Sequence, residues 1–259
     1  MKHAIEEHDL DIINKISGTH KSIGSIKARD TYSRQDMIRL EESLCTLQIL
    51  AGRWPKPRND RFWIILIAIV HGFRESSIVN LRRRHLATDD DTGLQCFDLR
   101  DDADLLRTKT DNMKILCPLH PALSSIGFLK WVETRGLPED AKLFEDTPES
   151  FGAWWNGLSR TSGWNYNHVT TDDKKVFHSF RHYFRMQMDE LGLSDKVINE
   201  MMGHARDANG DTGRKHYAER TMAKRMREVQ NMTLGEGRIL SRDLNFDRLT
   251  LRVKELFNV

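Results

Sequence analysis

The chain has 259 residues, of which 39% are hydrophobic and 30% charged; 40 Lys and Arg stand against 38 Asp and Glu, for a net charge of +2. This composition suffices for a sizeable core and excludes a disordered chain, and the near-balance of charge excludes a uniformly basic coat but not a locally basic face. Phe62 to Val70 is the longest apolar run, far short of the roughly 18 residues of a membrane span, and the widely spaced Cys45, Cys96 and Cys117 argue against a disulfide scaffold or zinc ribbon.

The chain opens on MKHAIEEHDLDII, with acids where an export signal carries an apolar core, so a reducing cytosol is the expected compartment. Residues 1–32 are polar and broken by Gly18 and Gly24, and read as a linker or the remnant of an upstream domain. At Ser33 the texture changes. Ser33 and Asp36 form a capping-box pattern, and Met37, Leu40, Leu44 and Leu47 recur at helical spacing. A Pro-containing loop, Trp54 to Asn59, precedes the apolar helix Phe62–Val70, which should be buried on most sides. Between Leu94 and Leu119 the strings LQCFDL, LLRTKT and MKILCPL predict strands, the last two forming a hairpin about Asp111-Asn112. Helical texture then returns over Ala122–Thr134, Ser150–Ser162, Val176–Leu191, Asp195–Gly203 and Thr212 to Asn231. After Gly235 and Gly237, Leu249, Val253, Leu256 and Phe257 form a short amphipathic stripe. The expected class is mainly α with a small antiparallel β-sheet, an α+β fold.

Three strings hold groups able to do chemistry. Arg74 follows the most hydrophobic helix in HGFRESSIVNL; a lone arginine there is usually solvated, but at the rim of a core it can grip an anion through paired N–H groups. In FHSFRHYFR, His178 and Arg181 share a helical face while Phe177, Phe180 and Phe184 turn to the core. His178 and His182 have the spacing of a metal-binding pair, but the Glu of H-E-x-x-H is missing, so no metal site is expected. In MMGHARDANGDTGRKHYAER, Gly203-His204 ends a helix, a turn-rich loop follows, and Tyr217 sits among Arg214, Lys215, His216, Glu219 and Arg220. Positive neighbours favour an ionised phenol.

Taken in order, Arg, Lys, His-x-x-Arg, Gly-His and Tyr resemble the catalytic domain of tyrosine recombinases, the phage-integrase family. The matching strings are G-F-R at Arg74, R-T-K-T at Lys109, H-S-F-R-H from His178 and M-G-H-A at His204, followed by Tyr217, and the resemblance runs from Ser33 to Arg227. It implies a catalytic domain over 33–231 and a tail helix in 232–259 that docks on its own domain or on a neighbouring protomer. Three features depart from the family: Ser77 stands where an acid is usual, with Glu75 two positions early; the His204–Tyr217 interval is long; and only residues 1–32 precede the domain, where a DNA-clamping domain is usual.

The resemblance implies cutting of double-stranded DNA by attack of Tyr217 on the scissile phosphate, leaving a 3′-phosphotyrosyl link. Rejoining reuses the ester, so neither metal, ATP nor another cofactor is implied. Arg74 and Arg181 would hold the non-bridging oxygens, His178 would take the phenol proton, and His204 would donate to a phosphate oxygen. Lys109, preferred over Lys114, would protonate the leaving 5′-oxygen. Tyr32, Tyr166 and Tyr183 are weaker candidates for the nucleophile. Arg82, Arg83, Arg84, Arg214 and Lys215 are the expected phosphate contacts. The implied assembly is a homo-oligomer, a tetramer on recombination sites, in the cytoplasm at the nucleoid and without a membrane. Two alternatives stay open: relaxation of DNA in the manner of type IB topoisomerases, and a catalytically silent DNA-binding regulator.

Charge is segregated along the chain. Arg214–Arg227 holds six positives and one negative, whereas Asp89–Asp104 holds seven acids with one arginine and Glu139–Glu149 five acids with one lysine. The acidic stretches are expected to face away from DNA.

Overall fold

In a computed structural model of the chain, which describes residues 31–46, 59–90, 92–100, 115–160, 175–202 and 244–257, the first helix, α1 (Arg34–Cys45), begins at the predicted capping box. Ser33 Oγ accepts from the Asp36 amide at 3.2 Å, and Asp36 Oδ2 accepts from the Ser33 amide at 2.8 Å. Orphan donors at the helix start are thereby satisfied.

The apolar run becomes α2 (Arg61–His71), in which every residue is buried. Gly72 stops it in the left-handed conformation, φ 62°, with its amide donating to Ala68 O at 3.0 Å. A Cβ there would lie 2.6 Å from Phe184 Cδ1, so the position needs glycine for space as well as for φ. A short helix, α3 (Glu75–Val79), follows, and then a 3₁₀ turn over Arg83–His85.

The sheet differs from the expectation in its composition. Its three described strands, β1 (Leu86–Thr88), β2 (Gln95–Asp98) and β3 (Leu116–Pro118), lie in that order and are antiparallel. Phe97 pairs with Leu86 on one side and Cys117 on the other. Strand β1 was not predicted, because three residues are too short to show alternation. The central LLRTKT segment and the turn at Asp111-Asn112 lie outside the described residues.

The predicted helix over Ala122–Thr134 is two helices, α4 (Pro121–Ser125) and α5 (Phe128–Thr134), separated at Gly127 with φ 102°. Helix α6 (Pro148–Arg160) starts two residues earlier than expected, with Pro148 at the first position and Thr147 and Ser150 exchanging side chain–backbone hydrogen bonds. Helix α7 (Ser179–Glu190) starts later than expected, Phe177 and His178 forming a turn before it. Helix α8 (Asp195–Met201) packs on α7 through Phe184, Met188 and Ile198. The stretch predicted as a helix from Thr212 lies outside the described residues.

The C-terminal stripe is helix α9 (Phe246–Phe257), lying on α1 of the same chain with Leu249 and Val253 buried. Full burial of each such side chain contributes about 1.5–3 kcal/mol. Arg248 and the Asn245 amide both reach Glu41, each at 2.8 Å. Phe257 meets Trp63 at a ring distance of 5.4 Å and Trp131 at 5.8 Å. Among the described residues, no helix is long and apolar enough to cross a membrane. The three cysteines are free.

Candidate functional site

Packing of α7 against the end of α2 brings two of the singled-out arginines together. Arg74 lies two residues beyond the helix-ending glycine, in extended conformation, and its carbonyl accepts from the amides of Ser77 and Ile78 to start α3. Arg181 is in the first turn of α7 and only 4% exposed. Its Nη1 donates to the Gly72 carbonyl at 2.7 Å, while its buried Nη2 has no partner among the described residues. Burial first, then the charges of Arg74 and Arg185, push the Arg181 guanidinium down to about 10. It is still cationic at neutral pH. No carboxylate pairs with it among the described residues. A buried guanidinium with a cationic neighbour and an open N–H favours an anion with two or more acceptor oxygens.

His178 caps α7 at the same end, half-buried, three residues before Arg181. Its ring lies 5.2 Å from that of His182, and no cluster able to hold a metal ion occurs among the described residues. Two rival tyrosines are enclosed. Tyr32 is buried with its hydroxyl donating to Val176 O at 3.0 Å, and Tyr183 is fully buried. Lys109, Lys114, Tyr166, His204, Arg214, Lys215 and Tyr217 lie outside the described residues.

The arginine run is held by its own fold. Arg82 donates to the Asp140 carbonyl, Arg84 pairs with the Asp140 carboxylate, and Arg83 donates to Leu86 O at 3.4 Å. The amides of Arg83 and Arg84 donate to the carbonyls of Ala141 and Glu139. Segregation along the chain is therefore not preserved in space here: the stretch beginning at Glu139 lies against the basic run, because backbone pairing decides that contact. The exposed ion pair contributes little, about 0–1 kcal/mol.

Two neighbours of the arginines were missed. Gly72 offers a backbone carbonyl, which has no side-chain signature; the only clue was a glycine directly after an apolar helix. Glu75 points toward α6, where a Cβ on Gly152 would lie 3.0 Å from its Oε1. Burial, and then the nearby Glu149, raise its carboxyl to about 7. The folded protein thus holds a proton that the unfolded chain releases between about 4.5 and about 7, so this group makes stability fall as pH rises through that window. Glu75→Gln is expected to flatten that slope. Urea unfolding at intervals from pH 5 to 8 checks it, and an unchanged slope would remove Glu75 as the cause.

Beneath the site, His71 and Cys117 form a buried pair, Nδ1 to Sγ 3.5 Å, and His71 Nε2 accepts from the His120 amide at 3.3 Å. Burial lowers His71 well below its ordinary value, lowers His120 to about 4 and raises Cys117 to about 12. All three are neutral near pH 7 and serve as packing.

No protein-family model and no curated protein matches the chain. Among solved structures, it is similar to the integrase from mycobacterium phage Brujita, with a TM-score of 0.43 and 18% sequence identity over 82% of this chain. The present chain spans 61% of the length of that integrase chain.

Proposed function

We propose that the protein is a DNA strand transferase of the tyrosine-recombinase kind, a site-specific recombinase acting through a phosphotyrosyl intermediate. The observation that carries the reading is the Arg74–Arg181 pair, with the Arg181 guanidinium buried, anchored by one nitrogen and open at the other. Support also comes from the order of Arg74, Lys109, His178, Arg181, His204 and Tyr217 in the sequence.

The chemistry asks for such a pair. A phenol has a pKa near 10, so forming phenolate at neutral pH costs about 4 kcal/mol. Attack on a phosphodiester also gathers charge on the non-bridging oxygens. Two guanidinium groups stabilise that charge, and His178, in the turn that leads into α7, takes the phenol proton and returns it on rejoining. Tyr217 is the nucleophile, Lys109 the acid for the departing 5′-oxygen and His204 a further donor to the phosphate. Arg82–Arg84, Arg214 and Lys215 contact the DNA backbone, and protomers assemble on the site.

Tyr217→Phe is expected to abolish covalent attachment to a nicked suicide duplex while DNA affinity stays within about twofold. An adduct formed by the phenylalanine variant would overturn the nucleophile assignment. Relaxation of supercoiled DNA lacking any particular site would instead favour the topoisomerase-like activity.

A further inference from the structure

The turn that presents His178 is held by residues at the start of α1. Lys175 Nζ meets Asp36 Oδ2 at 2.7 Å, with side-chain exposures of 14% and 5%. The next residue, Val176, is engaged at both ends of its backbone. Its carbonyl accepts from the Tyr32 hydroxyl at 3.0 Å and from the Ser179 amide at 2.8 Å, and its own amide donates to Ser179 Oγ at 3.1 Å. The Tyr32 ring lies 4.4 Å from Phe180, and Trp155 is a further hydrogen-bond partner of its phenol. Phe177 is packed between Phe151 and Trp155. At the start of α1, Asp36 and Tyr32 thus hold Lys175 and Val176, the two residues immediately before Phe177.

We propose that Asp36, Lys175 and Tyr32 form a clasp whose work is to position His178 over the Arg74–Arg181 anion site, a role that rests on the function proposed above. An enclosed ion pair is a poor device for stability, since desolvation of both charges offsets most of their attraction, and an apolar pair would serve as well. What it supplies is a fixed distance. The carboxylate of Asp36 is itself immobilised by the capping box, so Lys175 is tied to a rigid point on α1 rather than to a mobile side chain. Phe177 and Phe180, on either side of His178 in sequence, are both locked in the core. The clasp fixes the backbone over 175–178, from which the imidazole projects. Lys175, Asp36 and Tyr32 are positioning residues: they act on the reaction through His178.

Lys175→Met is the informative variant, because it keeps the length of the side chain and leaves the α1 cap intact. In the full chain it is expected to lower the rate of covalent attachment to saturating suicide duplex about ten- to a hundredfold, the scale of a misplaced reacting group, with DNA affinity within about twofold and a shifted acid limb of the pH–rate profile. Lys175→Arg is expected to recover most of the rate. Wild-type rate and pH profile in Lys175→Met, or no recovery with Arg, would overturn the clasp. A separate readout does not depend on catalysis: in histidine-labelled protein, Lys175→Met is expected to move the NMR titration of His178. An unmoved His178 titration overturns the clasp even if the wild type proves not to cut DNA, whereas a moved one in an inactive wild type sustains the clasp and rejects the function.

Discussion

Arg181→Met is expected to slow covalent attachment to DNA roughly a hundred- to a thousandfold, the usual effect of losing one donor to a developing oxyanion, while the protein stays folded. The two halves of that result have separate causes. In the wild type the guanidinium is buried next to Arg74 without a carboxylate among the described residues, an arrangement that costs stability. Methionine relieves that cost but leaves the Gly72 carbonyl without its donor, a loss of about 1–3 kcal/mol. The opposing effects should keep the net change small. Inorganic phosphate gives a check free of DNA: added phosphate should raise the melting temperature of the wild type, by binding only the folded state, and not that of the variant. Arg181→Lys should resemble Met more than Arg in the rate, because an ammonium cannot reach the Gly72 carbonyl and a phosphate oxygen as a fork does. Attachment by Arg181→Met at near wild-type rate would remove Arg181 from the reaction.

Asp146→Ala is expected to be the most destabilising single change among the charged residues described, by about 3–5 kcal/mol, or roughly 10 °C in melting temperature for a chain of this size. Arg61 Nε and Nη2 donate to the two carboxylate oxygens of Asp146 at 2.7 and 2.9 Å, with side-chain exposures of 5% and 0%. The Ser150 hydroxyl adds a third bond at 2.7 Å, and the guanidinium lies 4.3 Å from the Trp154 ring. This contact joins the start of α2 to the start of α6. Removing the acid leaves a cation enclosed beside an indole without its paired carboxylate. The double variant Arg61→Met, Asp146→Leu should regain much of the loss, since it removes both desolvation costs at once. Urea unfolding of the three proteins decides it; a loss below about 1 kcal/mol for Asp146→Ala would show the pair to be effectively solvent-exposed.

The sequence made some elements readable and others not, for physical reasons. The apolar run of α2, the capping box of α1 and the stripe of α9 each write their structure into local spacing, and each is found where expected. Strand β1 has only three residues and is defined by its partner rather than by its own pattern. The break between α4 and α5 depends on Gly127 taking a positive φ, a choice that side-chain spacing does not reveal. At the site, the arginines and His178 were readable as residue types in a given order. That Arg181 is enclosed and hung from a backbone carbonyl was not, because a carbonyl belongs to every residue. Nor was the meeting of Arg82 and Arg84 with Asp140, which backbone pairing over a long separation imposes.

The peptide group of Gly72 closes α2 with its amide and orients Arg181 with its carbonyl. The guanidinium is therefore referenced to a helix enclosed along its whole length. Its anchored donor is held by folding rather than by binding, so part of the reorganisation cost that weakens such groups in water is already met. A residue that can be neither mirrored in φ nor given a Cβ beside Phe184 thus sets the geometry of a charge 109 residues further along the chain.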